Sequence, residues 1–177
     1  MKKYYDFIFI DCPPSLGQTV TAASLAADYI VVPVDPERFS LSGLNVTLNE
    51  LEKVAKKFET SFNIKIVLNK FDARTSLSHQ VLAALFSDKN YQQRLFKTFI
   101  RTCQELPNSI SKGKTLFDSL RSSTGKEDTD LLAREFIEFT RIQETDIESE
   151  KIQPSNIYSE SHIKEDTLIT ELDTTNG

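Results

Sequence analysis

The chain has 177 residues, of which 39% are hydrophobic and 27% charged, and a formal net charge of −5. That is enough for one domain with its own core, and the composition excludes a wholly disordered polypeptide. No apolar run approaches the ~20 residues of a membrane span, and Met1 to Asp6 does not open like a secretory leader. Two cysteines, Cys12 and Cys103, and two histidines without ligand spacing argue against a disulfide framework and a zinc site. A cytoplasmic protein is expected.

In chain order, residues 4–11 are short, aromatic and β-branched, and Cys12-Pro13-Pro14 follows them. They predict a buried strand ending on Asp11. An Ala-rich helix is expected over 19–28 and a second strand over 29–34. Ser40 or Ser42 is placed to cap a helix over about 43–58, with Leu44, Leu48, Leu51, Val54 and Ala55 on one face. A third strand is expected over 62–68. A helix from Ser76 or Ser78 to about 87 follows, then a shorter helix, a short strand over 97–100 and a closing helix over 128–141. Strands alternating with helices predict an α/β domain with a mostly parallel sheet flanked by helices.

The charge is uneven. Residues 143–177 hold nine acids and two bases, whereas 89–126 hold eight bases against Glu105 and Asp118. The sequence therefore divides into a domain over 1–142 and an acidic tail over 143–177, expected to be disordered.

Asp11 ends a strand where open α/β sheets bind ligands, and an acid there can hold Mg²⁺ beside nucleotide phosphates. The wider segment is more specific. Tyr5-Asp6-Phe7-Ile8-Phe9-Ile10-Asp11-Cys12-Pro13-Pro14-Ser15-Leu16-Gly17 resembles the Walker B and switch II region of the ParA/Soj partition ATPases, relatives of MinD. Ala26 to Val34, Pro36 to Leu44, Leu68 to Thr75, Ile100-Arg101-Thr102, Gly113-Lys114-Thr115 and Leu132 to Glu135 fall into that family's order. The resemblance covers roughly residues 4–141. It implies a P-loop NTPase fold with a deviant Walker A, ATP and Mg²⁺ as cofactors, and segregation of plasmid or chromosome DNA. Asp11 would reach Mg²⁺ through its water shell, Pro13, Pro14 and Gly17 would act as a switch, and Asn69 would contact adenine. A ParB-type partner, non-specific DNA and a second subunit are implied as partners, with a nucleoid-associated location.

The family's phosphate loop, KGGxGK[ST], precedes the strand that carries Asp11, and this sequence starts at that strand. Gly113-Lys114-Thr115 does not replace the loop, because Asn108 stands where the pattern needs glycine. The expectation is an N-terminally truncated or split form without independent ATPase activity. Two alternatives stand beside it. One is a non-catalytic module that associates with an intact relative or with DNA. The other is a GTP-binding protein, since Asn69-Lys70-Phe71-Asp72 matches N-K-x-D, in which Asn69 and Asp72 would read guanine. For DNA, the candidate residues are Lys97, Arg101, Lys112, Lys114, Arg121 and Lys126, as phosphate contacts need only positive charge on one face.

Overall fold

The computed structural model describes residues 4–15 and 17–152, with side chains as far as Arg141. It divides into two compact units, Met1–Thr140 and Arg141–Gly177. The first contains the sheet and the sites discussed below.

Two strands, β1 (Tyr29–Val34) and β2 (Asn63–Leu68), pair in parallel, in register from Tyr29 opposite Asn63 to Val34 opposite Leu68. A parallel pair needs a crossover, supplied here by the helix α2 (Ser40–Lys57). Its Leu44, Leu48 and Leu51, spaced four and three apart, are all buried. The expected caps are not used. Helix α2 starts at Ser40 without a side-chain cap, and the Ser40 hydroxyl instead accepts from Glu37 N–H at 2.9 Å and donates to the Asp35 carbonyl. That closes the turn between β1 and α2.

Pro33 costs the sheet nothing. Val34 C=O accepts from Asn69 N–H at 2.8 Å, so the even residues of β1 turn their backbone groups toward β2. Pro33 faces the other way, where its missing N–H breaks no bond to β2.

On the far side of β2 runs the segment 95–102. Phe96 N–H donates to Ile66 C=O and Ile100 N–H to Leu68 C=O, each at 2.9 Å. The strand expected over 97–100 is therefore present as an interrupted edge with bridges at Leu95 and Arg101. The interruption has a cause. Lys97 and Thr98 give their N–H groups to the Glu135 carboxylate, at 2.7 and 2.9 Å, rather than to a strand.

The helix α1 (Gln18–Ala26) precedes β1. The helices α3 (Ser76–Ser87) and α4 (Lys89–Arg94) follow β2. Thr75 caps α3, accepting from Ser78 N–H, and Asp88 caps α4. Val81 and Leu85 of α3 join Val34, Leu44, Leu48, Ile66, Leu68, Phe71 and Leu95 in one core. A further helix, α5 (Glu105–Ser111), was not expected from the sequence. Gly113 follows it at φ +65°, the left-handed geometry that glycine accepts without strain. Gly113-Lys114-Thr115 thus closes one helix and leads only into a three-residue 3-10 turn, Leu116–Asp118, whereas a phosphate loop follows a strand and opens an α-helix.

The last helix, α6, is Thr124–Ile152 rather than 128–141. No Gly or Pro interrupts 126–152, and Pro154 is the first breaker beyond. The acidic segment from 153 onward lies outside the described residues.

Residues 4–11 depart most from expectation. They form no strand, and Tyr4, Tyr5, Phe7, Ile8, Phe9 and Ile10 are exposed. Their apolar pattern fits a sheet interior, but a strand exists only through its neighbours, and among the described residues β1 pairs with β2 alone. Phe7 and Phe9 instead lean on Phe136 of α6, with ring centroids 5.9 and 6.4 Å apart.

Candidate functional site

The C-terminal ends of β1, β2 and the 95–102 segment meet at one edge of the sheet. In parallel α/β sheets ligands bind at this edge, because the connecting loops converge there and leave backbone groups to spare. Here the loops are tied together by side chains. Asp35, just past β1, accepts from Asn69 Nδ2 at 2.9 Å and pairs with Lys70 Nζ at 2.6 Å, which raises the Lys70 pKa. Asn69 and Lys70 begin the loop after β2, and Lys70 takes a left-handed φ of +51°. That turn lets Thr102 Oγ1 donate to the Lys70 carbonyl at 2.9 Å. Phe71 N–H then donates to Ile100 C=O and Thr102 N–H to Phe71 C=O. Asp35 was not among the residues singled out from the sequence. Its signal was an acid at one strand end facing an Asn-Lys pair at the next.

Asp72 turns back into its own loop. Its carboxylate accepts from Arg74 Nε at 2.9 Å and Nη2 at 2.7 Å, and also from Arg74 N–H. The Arg74 side-chain hydrogen bond, helped by the backbone one, lowers the Asp72 pKa to about 2. Both recognition groups of the N-K-x-D pattern are thus engaged inside the chain, Asn69 by Asp35 and Asp72 by Arg74. Reading a guanine edge would require Asp72 to give up its guanidinium.

An open depression beside this edge is lined by Phe71, Asp72, Ala73, Arg74, Arg101, Thr102 and Thr124. A second, between α1 and α2, is lined by Gly17, Val20, Thr21, Glu50 and Leu51 among others and lies away from these strand ends. The first is the better site on chemical grounds, because guanidinium and hydroxyl groups converge there at the functional edge of the sheet.

Asp11 and Pro13, Pro14 and Gly17 are all exposed. Gly17 is extended and its carbonyl accepts from Thr21 N–H, so it opens α1. Asp11 has no ion pair among the described residues, and no group of three or more His, Cys, Asp or Glu there is placed to hold a metal ion.

Among the DNA candidates, Arg101 is spoken for. Its Nε and Nη2 grip the Asp128 carboxylate at 2.7–3.1 Å, and its N–H donates to the same group at 2.9 Å. Asp128 is only 4% exposed. Arg101 therefore fastens the 95–102 segment to α6. Close packing nearby supports this seat, since a Cβ on Gly125 would meet Cys103 Sγ at 2.3 Å. Lys126 Nζ donates to Ser119 C=O and lies 5.7 Å from the Phe117 ring centre. Lys97, Lys112, Lys114 and Arg121 are exposed, with no ion pair among the described residues.

A parallel sheet between helices, with its polar loops gathered at the strand C-termini, is the architecture of a P-loop-type nucleotide hydrolase domain. Comparison with known proteins narrows this. Residues 1–66 match a family model described as an AAA domain. The chain is 38% identical over 117 residues to the sporulation initiation inhibitor protein Soj of Bacillus subtilis, covering 66% of this chain and 46% of that one. It is 32% identical over 141 residues to the chromosome-partitioning ATPase Soj of Treponema pallidum, covering 77% and 54%. It is also 30% identical over 134 residues to the chromosome partitioning protein ParA of Myxococcus xanthus, covering 75% and 47%. A crystal structure of a plasmid partition protein of Borrelia burgdorferi bound to AMPPNP shares the fold, with a TM-score of 0.56 at 22% identity, covering 76% of this chain and 50% of that one. The chain belongs to the ParA/Soj family. It spans about half the length of the curated relatives that it matches.

Proposed function

We propose that this chain takes part in the partition of plasmid or chromosome DNA as a ParA-type protein. The observation that carries the reading is the match to Soj and ParA proteins over 66–77% of the chain at 30–38% identity. In this reading Asp11 serves the Mg²⁺ shell at a nucleotide's phosphates. Its exposed carboxylate fits contact through water rather than direct chelation by a protein-built cluster. Mg²⁺, when bound, neutralises charge on the phosphate oxygens. Pro13 to Gly17 follow Asp11 directly and lead into α1, which suits a switch. Asn69 supplies the base contact, held in place by Asp35. The acidic segment over 143–177 is proposed as a solvated tail, and a ParB-type partner and a second subunit as the other participants.

The 177-residue sequence contains no KGGxGK[ST] loop. The 177 residues taken alone therefore lack the motif whose loop amides and lysine would hold the phosphates. We expect it to bind ATP–Mg²⁺ with a Kd no tighter than about 1 mM, near −4 kcal/mol. Calorimetry on the purified chain checks this, and micromolar binding would show that the phosphates are held by residues not identified above.

DNA contact is assigned to Lys97, Lys112, Lys114, Arg121 and Lys126, with Arg101 removed from the group by its bond to Asp128. Replacing Lys112 and Lys114 together by Glu should weaken binding equally on unrelated duplexes. Affinity should fall steeply with salt, because each neutralised phosphate releases about 0.9 counterions. A mobility-shift series from 50 to 200 mM salt on the whole chain provides the test. Absence of any shift at the lowest salt would remove DNA binding from the proposal.

A further inference from the structure

Between residues 105 and 126, exposed apolar side chains stand among cations. In α5, Leu106 and Ile110 are four residues apart and share one face of the helix, and Ile110 is 67% exposed. The 3-10 turn Leu116–Asp118 buries Leu116 and leaves Phe117 outside. Leu120 follows at 104% exposure, the highest of the large hydrophobic residues among those described. A cluster of exposed apolar groups rimmed by charge marks a contact surface.

The charge on this segment is positive. It holds Lys112, Lys114, Arg121 and Lys126 against Glu105 and Asp118, four bases less two acids, or a net of +2. Lys112, Lys114 and Arg121 are exposed. Lys126 Nζ lies 5.7 Å from the Phe117 ring centre and donates to the Ser119 carbonyl at 2.9 Å, which sets a cation directly beside the apolar groups. Asp118 is taken up within its own turn, where it accepts the Thr115 N–H at 2.7 Å and the Thr115 hydroxyl at 3.0 Å.

We propose that this surface docks on an anionic phospholipid bilayer. The choice of occupant follows from what each candidate offers. Lysine is depleted from the cores of protein–protein interfaces, and side chains that protrude as Ile110 and Leu120 do build no groove for a partner helix. Duplex phosphates would take the cations and leave Ile110 and Leu120 without a partner. A bilayer of anionic lipid takes both, with phosphate against the cations and acyl chain against the apolar groups. The contact is peripheral, since no helix among the described residues is long and apolar enough to cross a membrane. It goes beyond the partition reading. It shares Lys112, Lys114, Arg121 and Lys126 with the DNA contact proposed there, whereas Ile110 and Leu120 belong to the lipid contact alone.

The experiment floats the whole 177-residue chain through a density gradient with vesicles of phosphatidylglycerol and phosphatidylcholine in equal parts, at physiological ionic strength. The chain should partition onto these vesicles at least about tenfold more strongly than onto phosphatidylcholine alone. Ile110→Ser with Leu120→Ser should weaken that partition by at least about tenfold, because both side chains leave water on docking. The same pair should leave the mobility shift on duplex DNA and the circular dichroism as in the parent, since both positions are exposed and neither meets a phosphate. Lys112→Glu with Lys114→Glu should weaken the vesicle partition as well. No flotation with the anionic vesicles overturns the proposal. So does equal flotation with phosphatidylcholine alone. Undiminished flotation of the Ile110→Ser, Leu120→Ser chain overturns it too, and would leave a purely electrostatic surface of the kind that DNA uses. Loss of the DNA shift in that chain would assign the apolar groups to nucleic acid and overturn the proposal in the same way.

Discussion

Leu85→Ala is expected to destabilise the Met1–Thr140 unit by about 3–5 kcal/mol, a large share of the 5–15 kcal/mol that holds an ordinary domain folded. Leu85 is 0% exposed and joins α3 to Ile66, Leu68 and Phe71 at the centre of the core. Truncation removes the buried methyl groups and leaves a cavity bounded by a sheet with two full strands among the described residues. A sheet that small depends on the helices packed against it, so the loss cannot be spread over many neighbours. Leu77→Ala on the same helix provides the control. It is 39% exposed and should change stability by less than about 0.5 kcal/mol. Urea unfolding of the two variants beside the parent separates them. A midpoint for Leu85→Ala within about 1 kcal/mol of the parent, with an unchanged slope, would mean that α3 is not essential to the core.

The parts of the fold that the sequence made legible are those whose signals are local. Tyr29 to Val34 and Asn63 to Leu68 are short apolar runs between helices, and both are strands within one residue of expectation. Leu44, Leu48 and Leu51 announced the inner face of α2 by their spacing alone. What escaped depends on partners elsewhere in the chain. Residues 4–11 read as a buried strand because pattern reports burial preference, while pairing depends on which strand lies alongside. Thr75, Ser76 and Ser78 are all competent caps, and only the extended backbone at Thr75 selects it.

The site shows the same division. Asn69 was legible as a strand-end polar residue, but Asp35, 34 positions earlier, is what holds its amide. Arg101 counted as one basic charge among eight over 89–126. Its loss from the DNA-facing set could not be read there, because the acid that claims it lies 27 residues away on α6. Conversely, the run from Tyr5 to Gly17 pointed to the family through the order of its residues, although it forms no strand.

Asp128→Ala is expected to release α6 from the 95–102 segment at a cost of about 2–3 kcal/mol. Asp128 is nearly buried and accepts both the Arg101 guanidinium and the Arg101 N–H, so its removal strands a backbone donor and a cation together. The estimate sits at the low end for buried pairs because the Arg101 side chain is 41% exposed and water screens part of the loss. The effect should depend on pH in a definite direction. Burial pushes the Asp128 pKa up, but the side-chain and backbone hydrogen bonds from Arg101 outweigh it and leave the group below the usual carboxylate value. A carboxyl whose native pKa lies below its unfolded value of about 3.9 contributes its stability above that pH, and loses it as the pH falls through the native value. The gap between parent and Asp128→Ala should therefore be full at pH 7 and narrow steadily below about pH 4. Asp128→Asn keeps the acceptor oxygen without the charge, and should fall between the two at pH 7. Urea midpoints for the three proteins between pH 7 and pH 2.5 decide it. A gap that stays constant across that range would show that Asp128 acts through packing alone and that Arg101 does not carry the joint between α6 and the sheet.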